Sequence, residues 1–106
     1  MSDWQRAFSV EEIGFGSWKQ FDLDGTIGVI YNVDGEFFAI EDICTHDGAV
    51  LSGCPLEGDE VICPRHGARF SVKTGEALSA PAWEATATFP LKIENGDLFL
   101  RDNRWD

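Results

Sequence analysis

Hydrophobic residues along this chain come in short alternating runs, punctuated by pairs of a small polar residue and glycine. Asp24-Gly25, Asp34-Gly35 and Asn95-Gly96 each stand between two strand-like segments. Such pairs readily take the positive-φ positions of a two-residue turn, so they predict three tight antiparallel hairpins. The clearest alternation sets Ala85, Ala87, Phe89, Leu91 and Ile93 against Glu84, Thr86, Thr88, Pro90, Lys92 and Glu94. It predicts a strand with one core face, and Pro90, lacking an N–H, places that strand at an edge or a bend. Glu60-Val61-Ile62-Cys63 predicts a further short strand. Phe37, Phe38, Phe89 and Phe99 occupy strand positions, where they pack the core or the sheet. Ser9-Val10-Glu11-Glu12 has the form of a capping box and opens one short helical turn.

These elements make the fold class all-β, a small antiparallel barrel or sandwich. The stretch from about residue 42 to about residue 81 is richer in Gly, Pro and Cys than its flanks. It reads as a loop-rich subdomain inserted into the barrel; the strands supply rigidity and the loops carry the chemistry. The 106 residues suffice for a single domain, 1–106, with a modest core and no second catalytic unit.

Charge narrows the partners. Nineteen acidic against eight basic residues leave a net charge of −11, dispersed rather than gathered in a tail. A polyanion repels nucleic acid, and no basic stripe offsets that; the same charge favours solubility and steers the chain toward basic patches. No run approaches the roughly 18 apolar residues of a membrane span. Met1-Ser2-Asp3-Trp4 lacks the basic, hydrophobic character of a secretory signal. Three cysteines form no even-numbered disulfide framework. The expectation is a cytoplasmic monomer with no membrane and no nucleic-acid contact.

The candidate chemistry sits in two segments, Cys44-Thr45-His46 and Cys63-Pro64-Arg65-His66, separated by sixteen residues. Each offers one cysteine and one histidine, and His46 and His66 are the only histidines in the chain. Zinc also accepts Cys₂His₂, but zinc fingers usually pair cysteine with cysteine and histidine with histidine. Mixed pairs better suit two loops straddling a two-iron cluster, cysteines on one iron and histidines on the other. Gly48, Gly53 and Gly67 lie beside these segments, where glycine permits positive φ and a close backbone approach to a cofactor. With two thiolates and two neutral imidazoles the oxidised cluster is neutral overall, so it accepts an electron more readily than a dianionic four-thiolate cluster. With both histidines committed, no nucleophile–base pair, phosphate loop or nicotinamide fingerprint remains.

On these motifs the chain resembles the Rieske family. The resemblance implies the Rieske fold and one [2Fe–2S] cluster, with Cys44 and Cys63 on the buried iron and His46 and His66 on the exposed one. Ser79-Ala80-Pro81-Ala82-Trp83 is similar to the proline-bearing loop that shields the cluster in this family. Two departures point to a subtype. Respiratory members carry an extra cysteine in each ligand loop, joined as a disulfide; the matching positions here are Ala49 and Arg65. They also carry a serine and a tyrosine that donate to cluster sulfurs, matched here by Ala68 and Phe70. Fewer donors leave the sulfurs more electron-rich and lower the potential.

The chain therefore looks like the low-potential ferredoxin of an aromatic-ring-hydroxylating dioxygenase system, a carrier rather than an enzyme. By resemblance it would take single electrons from an NAD(P)H-dependent flavoprotein ferredoxin reductase and pass them to the terminal oxygenase, within aromatic hydrocarbon catabolism. The alternative role is an accessory Rieske subunit of an iron–sulfur assembly or other reductase complex. Cys54 is left over and reads as a small buried hydrophobe, with redox sensing or ligation as alternatives. Asp47 and Arg65 are solvated charges or docking contacts, and Trp83 packs, shields the cluster or meets a partner.

Overall fold

The computed structural model describes residues 4–45, 48–63, 67–80 and 84–103. Its strands are β1 (Gln5–Ser9), β2 (Trp18–Leu23), β3 (Thr26–Val33), β4 (Glu36–Glu41), β5 (Leu56–Glu57), β6 (Glu60–Cys63), β7 (Ala68–Ser71), β8 (Leu91–Glu94) and β9 (Asp97–Leu100). They form three three-stranded antiparallel sheets, ordered β1-β9-β8, β2-β3-β4 and β5-β6-β7. No helix among the described residues is long and apolar enough to cross a membrane.

The predicted hairpins are present. Asp24, Asp34 and Asn95 take φ of 53°, 53° and 51°, and each following glycine is also positive. Two consecutive positive φ values give the turn whose twist matches that of the flanking strands. Asp22 and Asn32 hold two of these turns, each accepting the glycine N–H at 2.7 Å. The Ser9 capping box is formed over a 3₁₀ turn, Val10–Glu12.

Sheet β2-β3-β4 is the middle layer and buries both its faces. On one face Phe21, Leu23, Ile30 and Ala39 join Ile13, Phe89, Leu98 and Leu100 in a core against the β1-β9-β8 sheet. On the other, Val29, Tyr31 and Ile40 join Cys44, Leu51, Val61, Cys63, Ala68, Phe70 and Val72. Strand β3 is consequently buried without a break from Gly28 to Asn32, a pattern rare for an antiparallel strand with a solvated face. Gly28 is needed there because the ring of its cross-strand neighbour Phe21 lies where a Cβ would go, 2.1 Å away. Phe21 in turn meets Phe89 edge-on, with ring centroids 5.5 Å apart.

The alternation over 85–94 does not become one strand. Only Leu91–Glu94 is strand, at the edge of its sheet, while Thr88 makes a single bridge to Ile40. Ala85 is exposed and Thr86 buried, the reverse of the expected facing, and Ile93 is 52% exposed. Thr86 goes inside because its N–H donates to the Gly75 carbonyl and its hydroxyl to the Glu41 carbonyl. Pro90 has no N–H with which to extend the β8 ladder backward.

Candidate metal centre

Cys44 lies just beyond the end of β4, and Cys63 is the last residue of β6. Their residues are 0% and 1% exposed and belong to the same apolar cluster. Each opens a turn that closes four residues later on a glycine. The Gly48 N–H donates to the Cys44 carbonyl at 2.7 Å, and the Gly67 N–H to the Cys63 carbonyl at 2.9 Å. The two glycines have nearly identical φ, 77° and 76°. The two segments thus share one backbone closure, although the histidine comes two residues after Cys44 and three after Cys63.

His46 and His66 lie outside the described residues, as do Asp47, Pro64, Arg65, Pro81, Ala82 and Trp83. The histidine half of the expected ligand set, the two flanking charges and the middle of the shielding loop therefore receive no structural placement. Among the described residues no three His, Cys, Asp or Glu side chains gather as a metal site. Cys54 thus does not join Cys44 and Cys63 as a third thiol. It is half-buried at the edge of the same core, its Sγ donating to the Val50 carbonyl at 3.6 Å.

The surroundings fit a metal–sulfur group. Two thiols held in apolar surroundings at the bases of matched loops suit ions that stabilise thiolates out of water. Ala68 and Phe70, both 0% exposed, share that cluster with the cysteines and bring no hydroxyl. Tyr31 brings the phenol, but its hydroxyl donates to the Leu51 carbonyl at 3.4 Å. Burial first, then the Asp42 carboxylate and Cys54, push that phenol above its ordinary pKa, so it remains a protonated donor.

Sequence reasoning misses three supporting side chains. Asp42, 5% exposed, accepts from the Leu51 and Ser52 N–H groups at 2.7 Å each, the Ser52 hydroxyl at 2.6 Å and the Gln20 amide at 2.8 Å. It thereby fixes the return of the first loop to the core. Ser79 Oγ accepts from the Arg69 N–H at 3.1 Å and donates to the Gly67 carbonyl at 3.2 Å. Thr45 Oγ1 donates to the Glu84 carbonyl at 2.6 Å. The one advance signal was an acidic residue, Asp42, at the end of an apolar strand two residues before a candidate ligand.

The family model for the Rieske [2Fe–2S] domain matches residues 3–90. The ferredoxin component of the naphthalene 1,2-dioxygenase system of Pseudomonas putida is 40% identical over 92 residues, covering 87% of this chain and 88% of that one. The 3-phenylpropionate/cinnamic acid dioxygenase ferredoxin subunit of Escherichia coli strain K12 is 40% identical over 95 residues, covering 89% of each. Among solved structures, the ferredoxin of Sphingomonas yanoikuyae B1 superposes with a TM-score of 0.85 at 30% identity, covering 92% of this chain and 97% of that one. A chain from the complex of reduced oxygenase and oxidized ferredoxin in carbazole 1,9a-dioxygenase gives 0.86 at 30% identity, covering 92% of each. This chain belongs to the Rieske [2Fe–2S] domain family, and its cofactor is one Rieske-type cluster.

Proposed function

We propose that the chain is the electron-carrying ferredoxin of an aromatic-ring-hydroxylating dioxygenase system. The observation that carries this reading is 40% identity, over most of the chain, to two ferredoxins of such systems. In this reading Cys44 and Cys63 hold the inner iron and His46 and His66 the outer one. The burial of both cysteines in one apolar cluster supports that division. When bound, the cluster supplies a one-electron centre.

The protein's own residues do the rest. Matched glycine closures set the two loops, Asp42 anchors the first to the core, and Ala68 and Phe70 wall the site without hydroxyl donors. That wall favours a low potential. Electrons come from an NAD(P)H-dependent flavoprotein reductase and leave to the terminal oxygenase. The carbazole oxygenase–ferredoxin complex supports the second transfer. A net charge of −11 favours basic patches on both partners. The working unit is a cytoplasmic monomer, a single domain over 1–106 whose cluster-binding subdomain spans about 42–81.

The direct test is composition followed by coupling. Holoprotein should contain two irons and two acid-labile sulfides per chain. Cys44→Ser or Cys63→Ser should abolish the visible absorbance, whereas Cys54→Ser should keep it. With a flavoprotein reductase and a ring-hydroxylating oxygenase added, product should form only when this protein is present. Zinc without sulfide, in protein made with iron in excess, would refute the ligand assignment; full cluster content without coupling to any such oxygenase would refute the carrier role.

A further inference from the structure

Asp42 carries a charge into the protein interior without a cation to cancel it. At the root of the first ligand loop, its Oδ1 accepts from the Leu51 and Ser52 N–H groups, and its Oδ2 from the Ser52 hydroxyl and the Gln20 amide. All four contacts are donors, the arrangement that suits an ionised carboxylate, and all four are neutral. Among the described residues no lysine or arginine pairs with it.

That charge stands close to a candidate ligand. Asp42 lies two residues before Cys44, a stretch of chain that spans at most about 7 Å. The chain beyond Cys44 then returns to the same carboxylate at Leu51. The neighbourhood is apolar rather than wet: Cys44, Leu51 and Tyr31 belong to one buried cluster with Cys63. Tyr31 already registers the field there. Burial first, then the Asp42 carboxylate, holds the proton on its phenol.

We propose that Asp42 is a potential-setting residue, whose fixed negative charge makes this chain's cluster harder to reduce. The inference rests on Cys44 being a cluster ligand, because only then does the added electron arrive near the carboxylate. Bringing a second negative charge beside the first is opposed most strongly where water screens least. At an effective dielectric constant of about 20 and a separation on the order of 12 Å, the repulsion shifts such an equilibrium about tenfold. This effect is separate from the missing hydroxyls at Ala68 and Phe70, which concerns hydrogen bonds to sulfur.

Voltammetry of holoprotein reads the effect as a midpoint. Asp42→Asn keeps the shape of the side chain and removes its charge, so it should favour reduction about tenfold, a rise of about 59 mV for one electron. Glu36→Gln removes the same charge from the exposed end of β4 far from Cys44, and should shift the equilibrium less than about twofold because water and salt screen it. The Asp42→Asn rise should persist in about 0.5 M salt, since a buried charge is screened little. Where Asp42→Asn loads no cluster, Gln20→Lys decides instead. From an exposed strand position it sets a cation beside the same carboxylate, and should favour reduction more than about threefold. A shift below about threefold, no larger than that of Glu36→Gln, or lost in salt would make Asp42 a purely structural residue and overturn the inference, with the ligands still assigned. A cluster retained by Cys44→Ser would overturn the ligand assignment, and the inference with it.

Discussion

Replacing Asp42 distinguishes what its oxygens accept from the space it fills. Its carboxylate receives four hydrogen bonds, two of them from adjacent backbone N–H groups. Asp42→Ala removes every acceptor. The Leu51 N–H is buried and stays unsatisfied, at about 1–3 kcal/mol. The Ser52 N–H, the Ser52 hydroxyl and the Gln20 amide are only part-buried, so water can replace the carboxylate at about 0.5–1 kcal/mol each. The loss is then about 2.5–6 kcal/mol, a large part of the roughly 5–15 kcal/mol that holds an average domain folded.

Asp42→Asn should behave differently. Oδ1 can still accept from both backbone amides. The Ser52 hydroxyl can turn to accept from the new Nδ2, and the Gln20 amide can flip to present its oxygen. What is lost is the charge assistance, about 1–2 kcal/mol. At ~4 °C per kcal/mol for a domain of this size, Ala lowers Tm by about 10–24 °C and Asn by about 4–8 °C. The assay is a circular dichroism melt of holoprotein at one fixed scan rate, because unfolding that releases a cofactor need not be two-state or reversible. Equal losses for the two variants, or a loss below about 4 °C for Ala, would refute the hydrogen-bond accounting.

Two further outcomes are expected. Gly75→Ala should destabilise far more than Gly48→Ala. Both glycines have positive φ, 78° and 77°, but an added Cβ at Gly75 would sit 2.1 Å from the Thr86 carbonyl oxygen, and at Gly48 nothing lies within 4 Å. The left-handed conformation alone accounts for about 1–2 kcal/mol at Gly48, so similar melts for the two variants would mean that the Thr86 contact relaxes freely. Voltammetry of the unsubstituted protein should give a midpoint near the low end of the Rieske range, about −150 mV, and Ala68→Ser with Phe70→Tyr should raise it. A clearly positive midpoint before substitution would overturn the low-potential assignment.

The hairpins are legible in the sequence because their determinant is local. Asp-Gly and Asn-Gly take paired positive φ values at little cost whatever lies around them. The run over 85–94 misleads because facing there is decided by distant carbonyls. Thr86 is drawn inward by Gly75 and Glu41, and no pattern of polar and apolar letters contains those partners. Strand β3 is the opposite case. Gly28-Val29-Ile30-Tyr31 shows no alternation because both faces are covered, and the second cover is supplied by residues after Cys44.

The site divides along the same line. Cys44 and Cys63 can be named as candidate ligands from spacing, since a thiolate paired with an imidazole is itself the chemistry, and both are buried in one apolar cluster. Asp42, Thr45 and Ser79 cannot be named that way. They act on backbone groups 9 to 39 residues away, and a backbone carbonyl or amide is the same in every residue. The candidate ligands are thus written in short motifs, whereas the surrounding backbone is held by hydroxyls and one carboxylate reaching main chain across the fold. If the motif residues are the ligands, a second chain with both motifs intact but an apolar residue at position 42 would still bind iron and sulfide. It would hold them in a less stable protein, because the Asp42 bonds that fix the Leu51 and Ser52 backbone would be gone.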